Sequence, residues 1–195
     1  VLHKVETGVG TPTNPSGLAK ITARVVDPQK NNSVLKVFSG DLQGNVWRFD
    51  FTSATTTVAP TVSKLITLTN GAATPVAQPI TTRPDVGRCG IEDMVYVGTG
   101  KFLGDSDKTT TALQSVYGIK DGASTISTGR NALVEQTLSS SAVVSGAYTI
   151  TANAVDLASK SGWFVDLDRN SGERINLDPA LVLGTLLFIS NRPDG

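Results

Sequence analysis

The sequence predicts an all-β protein, and three observations carry that prediction. Short segments rich in β-branched and aromatic residues recur along the chain, separated by Gly, Pro, Asn and Asp. No long segment places apolar residues at the i, i+3, i+4, i+7 spacing of an amphipathic helix. The chain has 195 residues and a hydrophobic content of 39%, which suits one core or part of a larger domain.

Several segments have the length and composition of strands. They are residues 18–26, 34–40, 45–51, 62–68, 93–100, 114–120, 148–152, 162–167, 173–177 and 185–190. The Ser- and Thr-rich stretches 53–60, 105–112 and 139–146 lie between these strands. We predict that the three stretches are exposed loops. They could contact a partner, although polar loops usually contact only water.

A recurring strand–turn–strand unit favours a β-propeller. In "VFSGDLQGNVWRFDF" (37–51), a strand ending in small residues leads through a turn at Gly44 to a strand with Trp47. Residues 95–100 and 116–121 repeat this order. In a propeller blade the inner strands run through a crowded centre, and an aromatic on a later strand packs between blades. We therefore predict part of a β-propeller with several blades of antiparallel four-stranded sheets. A β-sandwich with ordinary hairpins is the alternative.

The same pattern predicts the core. Burial of a large apolar side chain contributes about 1.5–3 kcal/mol, so the buried strands should carry these side chains inward. The predicted core residues are Val37, Phe38, Val46, Trp47, Phe49, Val95, Tyr96, Val116, Tyr117, Trp163, Phe164, Leu187 and Phe188. Among them, the aromatic residues expected to fix the packing are Trp47, Phe49, Tyr96, Tyr117 and Trp163.

Composition excludes several function classes. The 17 basic and 17 acidic residues balance without a basic stripe, which argues against nucleic-acid binding. No run of about 18 apolar residues predicts a membrane-spanning segment. Cys89 is the only cysteine, so it forms neither an internal disulfide nor a zinc site by itself. Abundant Thr, Ser, Ala and Gly with 17% charged residues favour a secreted or surface-exposed protein.

Three segments resemble, in the same order, the C-terminal domain of the type IV pilus tip-associated adhesins, the PilY/PilC-like family. They are "GDLQGNVWRFDF", "GTGKFLGDSDKTTTALQSVYGIKDG" and "GWFVDLDRNSGERINLDPALVLGTLLFISNRPDG". The resemblance runs from about Thr7 to the C-terminal end. It implies a modified β-propeller at the bacterial cell surface or pilus tip, outer membrane-associated or secreted. It also implies roles in pilus biogenesis, retraction control, twitching motility and adhesion to host or abiotic surfaces, with pilus minor subunits or the pilus tip as partners.

The family domain is several hundred residues long. The resemblance therefore implies that residues 1–195 are part of a single propeller, with N-terminal blades and closing strands outside this sequence. A partial propeller leaves unpaired edges, so we expect the rest of the propeller to be a partner.

Many family members carry a calcium loop just before the "GDLxGNxWRFD" strand. Here the matching stretch is "DPQKNNSVL" (27–35). Calcium takes six to eight oxygen ligands, several from carboxylates, but only one carboxylate remains and Lys30 adds a positive charge. We interpret the stretch as a connecting loop whose calcium site is degenerate. The residues at its alternate positions are Asp27, Gln29, Asn31, Ser33 and Leu35.

A second weak calcium candidate is "DLDRNSG" (166–172). Asp166, Asp168 and Asn170 occupy positions 1, 3 and 5 of an EF-type loop, but Leu177 stands where the bidentate Glu would be. The alternative is a hairpin turn in which Asn and Gly supply positive φ. We expect no cofactor, with calcium at either loop as the only metal worth testing.

The sequence predicts that the protein is not an enzyme. His3 is the only histidine, and no nucleophile elbow, phosphate loop or dinucleotide fingerprint occurs. The enzyme alternative is a quinone-dependent dehydrogenase-like propeller, which would use calcium and place Trp47 or Trp163 against the quinone. A generic β-propeller or β-sandwich binding module is the other alternative.

Overall fold

The computed structural model describes residues 3–141 and 147–193, and it confirms the all-β prediction. Short 3₁₀ turns at Asp105–Asp107 and Gly129–Ala132 are the helical elements of these ranges. Among the described residues, no helix is long and apolar enough to cross a bilayer. The strands are β1 Ile21–Asp27, β2 Asn31–Gly40, β3 Asn45–Asp50, β4 Thr61–Thr67, β5 Asp85–Cys89, β6 Glu92–Gly98, β7 Ser115–Lys120, β8 Val134–Gln136, β9 Leu138–Ser140, β10 Tyr148–Ile150, β11 Gly162–Asp166, β12 Ala180–Val182 and β13 Thr185–Leu187.

Two large sheets and two hairpins contain these strands. The first sheet is antiparallel with the order β1-β2-β3-β4, as predicted for a blade. The second sheet has the order β5-β6-β7-β11-β8. It differs from the predicted four-stranded antiparallel blade because the chain between β7 and β11 adds β8 to its outer edge, parallel to β11. The hairpins β12–β13 and β9–β10 stand outside both sheets.

The first strands of successive units lie side by side. β5 contacts both β1 and β12, and the Leu181 side chain of β12 packs directly over Gly87 of β5. Arg24 of β1 bonds Asp93 of β6 at 3.2 Å. In a propeller the innermost strands of neighbouring blades surround one axis. The three strands β1, β5 and β12 therefore mark the hub of the fold.

The same kind of contact, an isoleucine side chain packed on a strand-ending glycine, occurs at two places between successive units. A Cβ added at Gly40, the last residue of β2, would lie 2.2 Å from the Ile80 side chain. A Cβ added at Gly98, the last residue of β6, would lie 2.4 Å from Ile175. In each case the isoleucine N–H donates at 2.9 Å to the carbonyl of the residue after the glycine. We call these two contacts, Ile80 on Gly40 and Ile175 on Gly98, the blade locks.

The main core lies between the first and second sheets. Side chains from β2, β3 and β4 meet those from β6, β7 and β11 there, which explains why these strands are the most apolar in the sequence. A second cluster forms around Val116, Val165 and Ile175, with Trp163 and Phe188 packed against it. The main cluster consists of Phe38, Val46, Leu65, Ile66, Leu68, Ile80, Val95, Val97, Tyr117, Ile119, Leu133 and Phe164.

Trp47 and Phe49 are buried, but on the other face of the first sheet. Their exposed fractions are 5% and 9%. Successive residues of a strand point to opposite faces, and Val46, the residue before Trp47, belongs to the main core. Trp47 therefore does not pack between the two described sheets, as a blade-to-blade aromatic would. N-terminal residues cross beside this sheet, with Asn14 and Ser16 bonded to the β2–β3 turn.

Two predictions about the C-terminal region are wrong. Leu187 is 53% exposed instead of buried. It pairs with Ala180, whereas the alternate pair of the hairpin, Leu181 with Leu186, lies on the face that packs against β5. The predicted strand at 173–177 contains a single bridge, from Arg174 to Asn191. That segment crosses between units to make the second blade lock and so cannot pair along one neighbour.

Candidate functional site

The degenerate calcium-loop candidate at 27–35 is a β-hairpin. β1 ends at Asp27, β2 begins at Asn31, and these two residues are paired. The Asp27 carboxylate accepts the Gln29 N–H at 2.9 Å, and the Asn31 side-chain oxygen accepts the Ser33 N–H at 3.0 Å. Ser33 and Leu35 lie within β2. The candidate ligands are therefore divided between two strands and the turn that joins them, and two of their oxygens bond to the local backbone.

Each residue of the second calcium candidate is bonded to another protein side chain. Asp166 is held by Arg130, whose Nη1 and Nη2 lie 2.9 and 2.8 Å from the two carboxylate oxygens. Asp168 pairs with the neighbouring Arg169 at 3.0 Å, and the Asn170 amide donates to a glutamate. Within residues 3–141 and 147–193, no three Asp, Glu, His or Cys side chains gather around a possible metal position. The Arg130 guanidinium occupies the position beside the Asp166 carboxylate that a calcium ion would need.

Arg130 instead organises a polar cluster beside β7 and β11 of the second sheet. Its Nη2 donates to Ser115 Oγ at 2.7 Å, and Ser115 Oγ donates to Asp166 at 2.5 Å. The Gln78 amide donates to Ser115 Oγ at 2.8 Å and accepts from the Tyr117 hydroxyl at 2.5 Å. We call Arg130, Asp166, Ser115, Gln78 and Tyr117 the Arg130 cluster. It ties the connection after β4 to β7 and β11.

The electrostatics of the Arg130 cluster are those of a satisfied network. The guanidinium lies 4.4 Å from the Phe164 ring centroid and 5.6 Å from that of Tyr117. Burial opposes the Arg130 charge, but its bond to Asp166 outweighs that effect and raises its pKa. Burial raises the pKa of Tyr117 to about 12. Neither group is poised to exchange a proton near neutral pH. The bonds of the cluster instead hold the connection after β4 against β7 and β11.

A buried carboxylate shapes the turn between β2 and β3. Asp41 is 1% exposed and accepts bonds of 2.9 Å from the backbone N–H groups of Gln43 and Asn45. It also accepts from the Asn45 amide at 2.9 Å and from the Trp47 indole at 2.8 Å. Gly44 holds φ +77 in this turn, where a side chain would be strained. The "GDLQGNVW" motif is therefore a hydrogen-bonded corner.

A buried arginine shapes the loop between β6 and β7. Arg174 is 3% exposed, and its guanidinium donates to the backbone carbonyls of Gly172, Lys101, Asp107 and Thr110 at 2.7–3.0 Å. No carboxylate is among these acceptors. This ring of carbonyl bonds fixes the course of residues 101–110.

Asp107 fixes the same loop from within. Its carboxylate accepts the Leu103 N–H at 2.8 Å and lies 3.0 Å from the Lys101 ammonium. Burial opposes the charge, but these two contacts outweigh it and hold the pKa of Asp107 below its usual range. The loop thereby presents Phe102 and Leu103, which are 42% and 66% exposed. The predicted polar loop at 105–112 does not include this adjacent apolar pair.

An ion-pair group also joins the sheets. Asp121 follows β7, and its fully buried carboxylate lies 2.8 Å from Arg48 and 2.5 Å from Lys36 of the first sheet. Neither this group nor the blade locks is among the sites predicted from the sequence. A signal for the locks is present, since "ITTRPDV" (80–86) and "INLDPAL" (175–181) share an isoleucine, a proline four residues later and an aliphatic residue two further on.

Comparison with known proteins agrees with this architecture. The family model of the PilY1 beta-propeller domain matches residues 1–152. The crystal structure of the Pseudomonas aeruginosa PilY1 C-terminal domain superposes with a TM-score of 0.72 at 25% identity, over 97% of this chain and 46% of that one. This likeness confirms the predicted propeller fold.

Curated relatives point the same way. A type IV pilus biogenesis factor PilY1 homolog of Xylella fastidiosa is 30% identical over 85% of this chain. The type IV pilus biogenesis factor PilY1 of a Pseudomonas aeruginosa strain is 32% identical over 62% of it. The chain spans 14% and 13% of the lengths of these two relatives. Because the family model covers most of its residues, the chain belongs to the PilY1 β-propeller family.

Proposed function

We propose that this protein is a non-enzymatic surface protein that acts in type IV pilus biogenesis. The observation that carries the proposal is the match to the PilY1 propeller over 97% of the chain, together with the pilus biogenesis factors among its relatives. Fold alone does not fix function. Here the likeness extends to a family model and to curated relatives, which favour a shared role.

The geometry of the described residues supports a role without catalysis. The Arg130 cluster is internally bonded, and the Trp47 indole N–H is used by Asp41. Trp163 lies against Gly118, whose added Cβ would sit 2.5 Å from the indole nitrogen. Both indoles are therefore packed against protein, whereas a quinone enzyme needs one free to stack on its cofactor. His3, the sole histidine, contacts the Thr55 carbonyl.

We propose further that the protein lies at the cell surface or pilus tip, outer membrane-associated or secreted, and supports twitching motility and adhesion. Pilus minor subunits, host surfaces or abiotic surfaces are the proposed partners. The exposed Phe102–Leu103 pair offers one contact region, because Arg174 and Asp107 hold it in one shape before binding. The candidate ligands at 27–35 are divided between the end of β1, the turn and β2, so we propose that this role does not depend on calcium there.

The rest of the propeller is the remaining proposed partner. The chain covers 46% of the solved PilY1 domain, and its third unit is the two-stranded hairpin β12–β13, whereas the first unit has four strands. Val182 and Leu187 on one face of that hairpin are 51% and 53% exposed. We propose that residues 1–195 are part of one larger propeller domain whose further blades cover this face.

Deletion of the full-length gene in its native host tests the function. We expect surface pili and twitching to be lost and to return on complementation. Normal piliation and twitching in the deletion strain would refute the proposed role.

Quinone titration of the purified chain gives a separate readout, for which we expect no change in tryptophan fluorescence. A saturable change with an oxidase activity would favour the dehydrogenase alternative. Calcium titration by calorimetry, with Asp27→Ala as the matched variant, tests the loop directly.

A further inference from the structure

The β9–β10 hairpin is an insertion between β8 and β11 whose base is rigidly held. Gln136, which is 7% exposed, donates to the Asn153 carbonyl at 2.8 Å. Its side-chain oxygen accepts from the Thr151 hydroxyl at 3.0 Å and from the Asn153 N–H at 2.9 Å. The Thr151 hydroxyl also accepts the Thr137 N–H. The hairpin therefore leaves the second sheet in a fixed direction.

The outer edge of β10 is open. Thr151 N–H donates to the Thr137 carbonyl and Ser141 N–H to the Ala147 carbonyl. Hydrogen-bonded pairs alternate along an antiparallel ladder, so the backbone groups of Tyr148 and Ile150 point away from β9. Among the described strands, β10 pairs only with β9. Both side chains are about half exposed, at 46% and 52%.

This edge lacks the protection that natural edge strands carry. Such edges are usually guarded by charges, proline or bulges, because open backbone groups invite pairing. The edge strands β1 and β5 follow that rule, with Arg24 in the first and Arg88 in the second. From Gln136 to Val155 there is no charged residue and no proline. The loop prediction for 139–146 missed β9, and residues 142–146 of it lie outside the described ranges.

We propose that β10 pairs antiparallel with β10 of a second copy of this chain. The register is self-complementary, because centring the pair on Thr149 sets Tyr148 opposite Ile150 of the other copy, twice. An aromatic facing a β-branched residue is a favourable cross-strand pair. Pairing also converts an isolated two-stranded hairpin, which is marginal in water, into a four-stranded sheet. The uncharged edge imposes no repulsion between copies. This pairing is independent of the proposed pilus role.

Disulfide trapping tests the register. Thr149 would face itself across the two-fold axis at a non-hydrogen-bonded position, where Cβ atoms come within about 5 Å. In a Cys89→Ser background, Thr149→Cys is expected to give a covalent dimer under mild oxidation. Ser139→Cys is the matched control. It pairs with Thr149 within the hairpin, but its copies would lie about 14 Å apart, three strand spacings, too far for a disulfide.

Sedimentation equilibrium of the full chain without cysteine substitutions measures the dimer itself. The interface is one short strand, so the association is weak and concentration-dependent. Thr149→Lys places like charges opposite each other and is expected to raise the dimer dissociation constant about fivefold, while Ser139→Lys leaves it unchanged. Equal trapping of both cysteine variants, no trapping of either, or equal effects of the two lysines would overturn the proposal. Circular dichroism checks that all variants fold.

Discussion

Substitution of Gly40 by alanine tests the first blade lock. The added Cβ would lie 2.2 Å from Ile80 Cγ2, 2.4 Å from its Cβ and 2.9 Å from its Cδ1. Side-chain rotation cannot remove the contact with Cβ, so the backbone of one unit must move. Overpacking of this kind costs about 1–3 kcal/mol. At about 2–4 °C per kcal/mol for a chain of this size, we expect the Tm to fall by about 2–12 °C.

Calorimetry with two further variants makes the result specific. Gly122→Ala is the matched control, because nothing lies within 4 Å of its added Cβ and its φ is not positive. We expect its stability to change by less than about 0.5 kcal/mol. Ile80→Ala should be costly alone but should relieve part of the Gly40→Ala penalty, giving a favourable coupling in the double-mutant cycle. If Gly40→Ala unfolds at the same temperature as Gly122→Ala, the lock does not exist as described.

Three further predictions concern stability. Trp47→Ala should destabilise by about 3–5 kcal/mol through lost burial and a cavity; a change below about 1 kcal/mol in urea unfolding would contradict its buried position. Asp121→Ala leaves Arg48 and Lys36 without their carboxylate partner and should lower the free energy of unfolding by about 3 kcal/mol. Asp105→Ala, whose carboxylate is 95% exposed, should be nearly neutral. The depressed pKa of Asp107 contributes stability that is present above the unfolded-state pKa of about 4 and is lost as pH falls below it. Urea unfolding at pH 7 and pH 3 should therefore show a smaller acid loss in Asp107→Asn than in the parent, and equal losses would refute this assignment.

The buried strands could be predicted because their side chains are sorted by environment. β2, β3, β6, β7 and β11 meet in the core between the sheets, and their β-branched and aromatic residues are the strongest strand signals in the sequence. β5 escaped prediction because "DVGRC" lies at the hub, with Gly87 pressed against Leu181 and a charged residue near each end. β8, β9 and β12 have three residues each, too few to show a period.

The candidate sites were harder to predict because they depend on contacts between distant segments. Asp166 has the spacing of a calcium ligand, but a guanidinium from Arg130, 36 residues away, takes its carboxylate. The length and composition of "ERINL" predict a strand that includes Arg174. Its actual partners are four carbonyls brought to it by the fold. Local pattern predicts which face a residue occupies, but not which neighbour satisfies its charge.

The proposed function is tested most directly by the amount of surface pilin that can be sheared from a deletion strain complemented with the full-length gene. We expect wild-type pilin from the parent gene and from Gly122→Ala, and less pilin from Gly40→Ala, because the proposed role in pilus biogenesis requires an intact propeller. Full piliation with Gly40→Ala, although the purified variant has a lowered Tm, would show that pilus biogenesis does not depend on the stability of the propeller. Full piliation without any complementing gene would contradict the central claim.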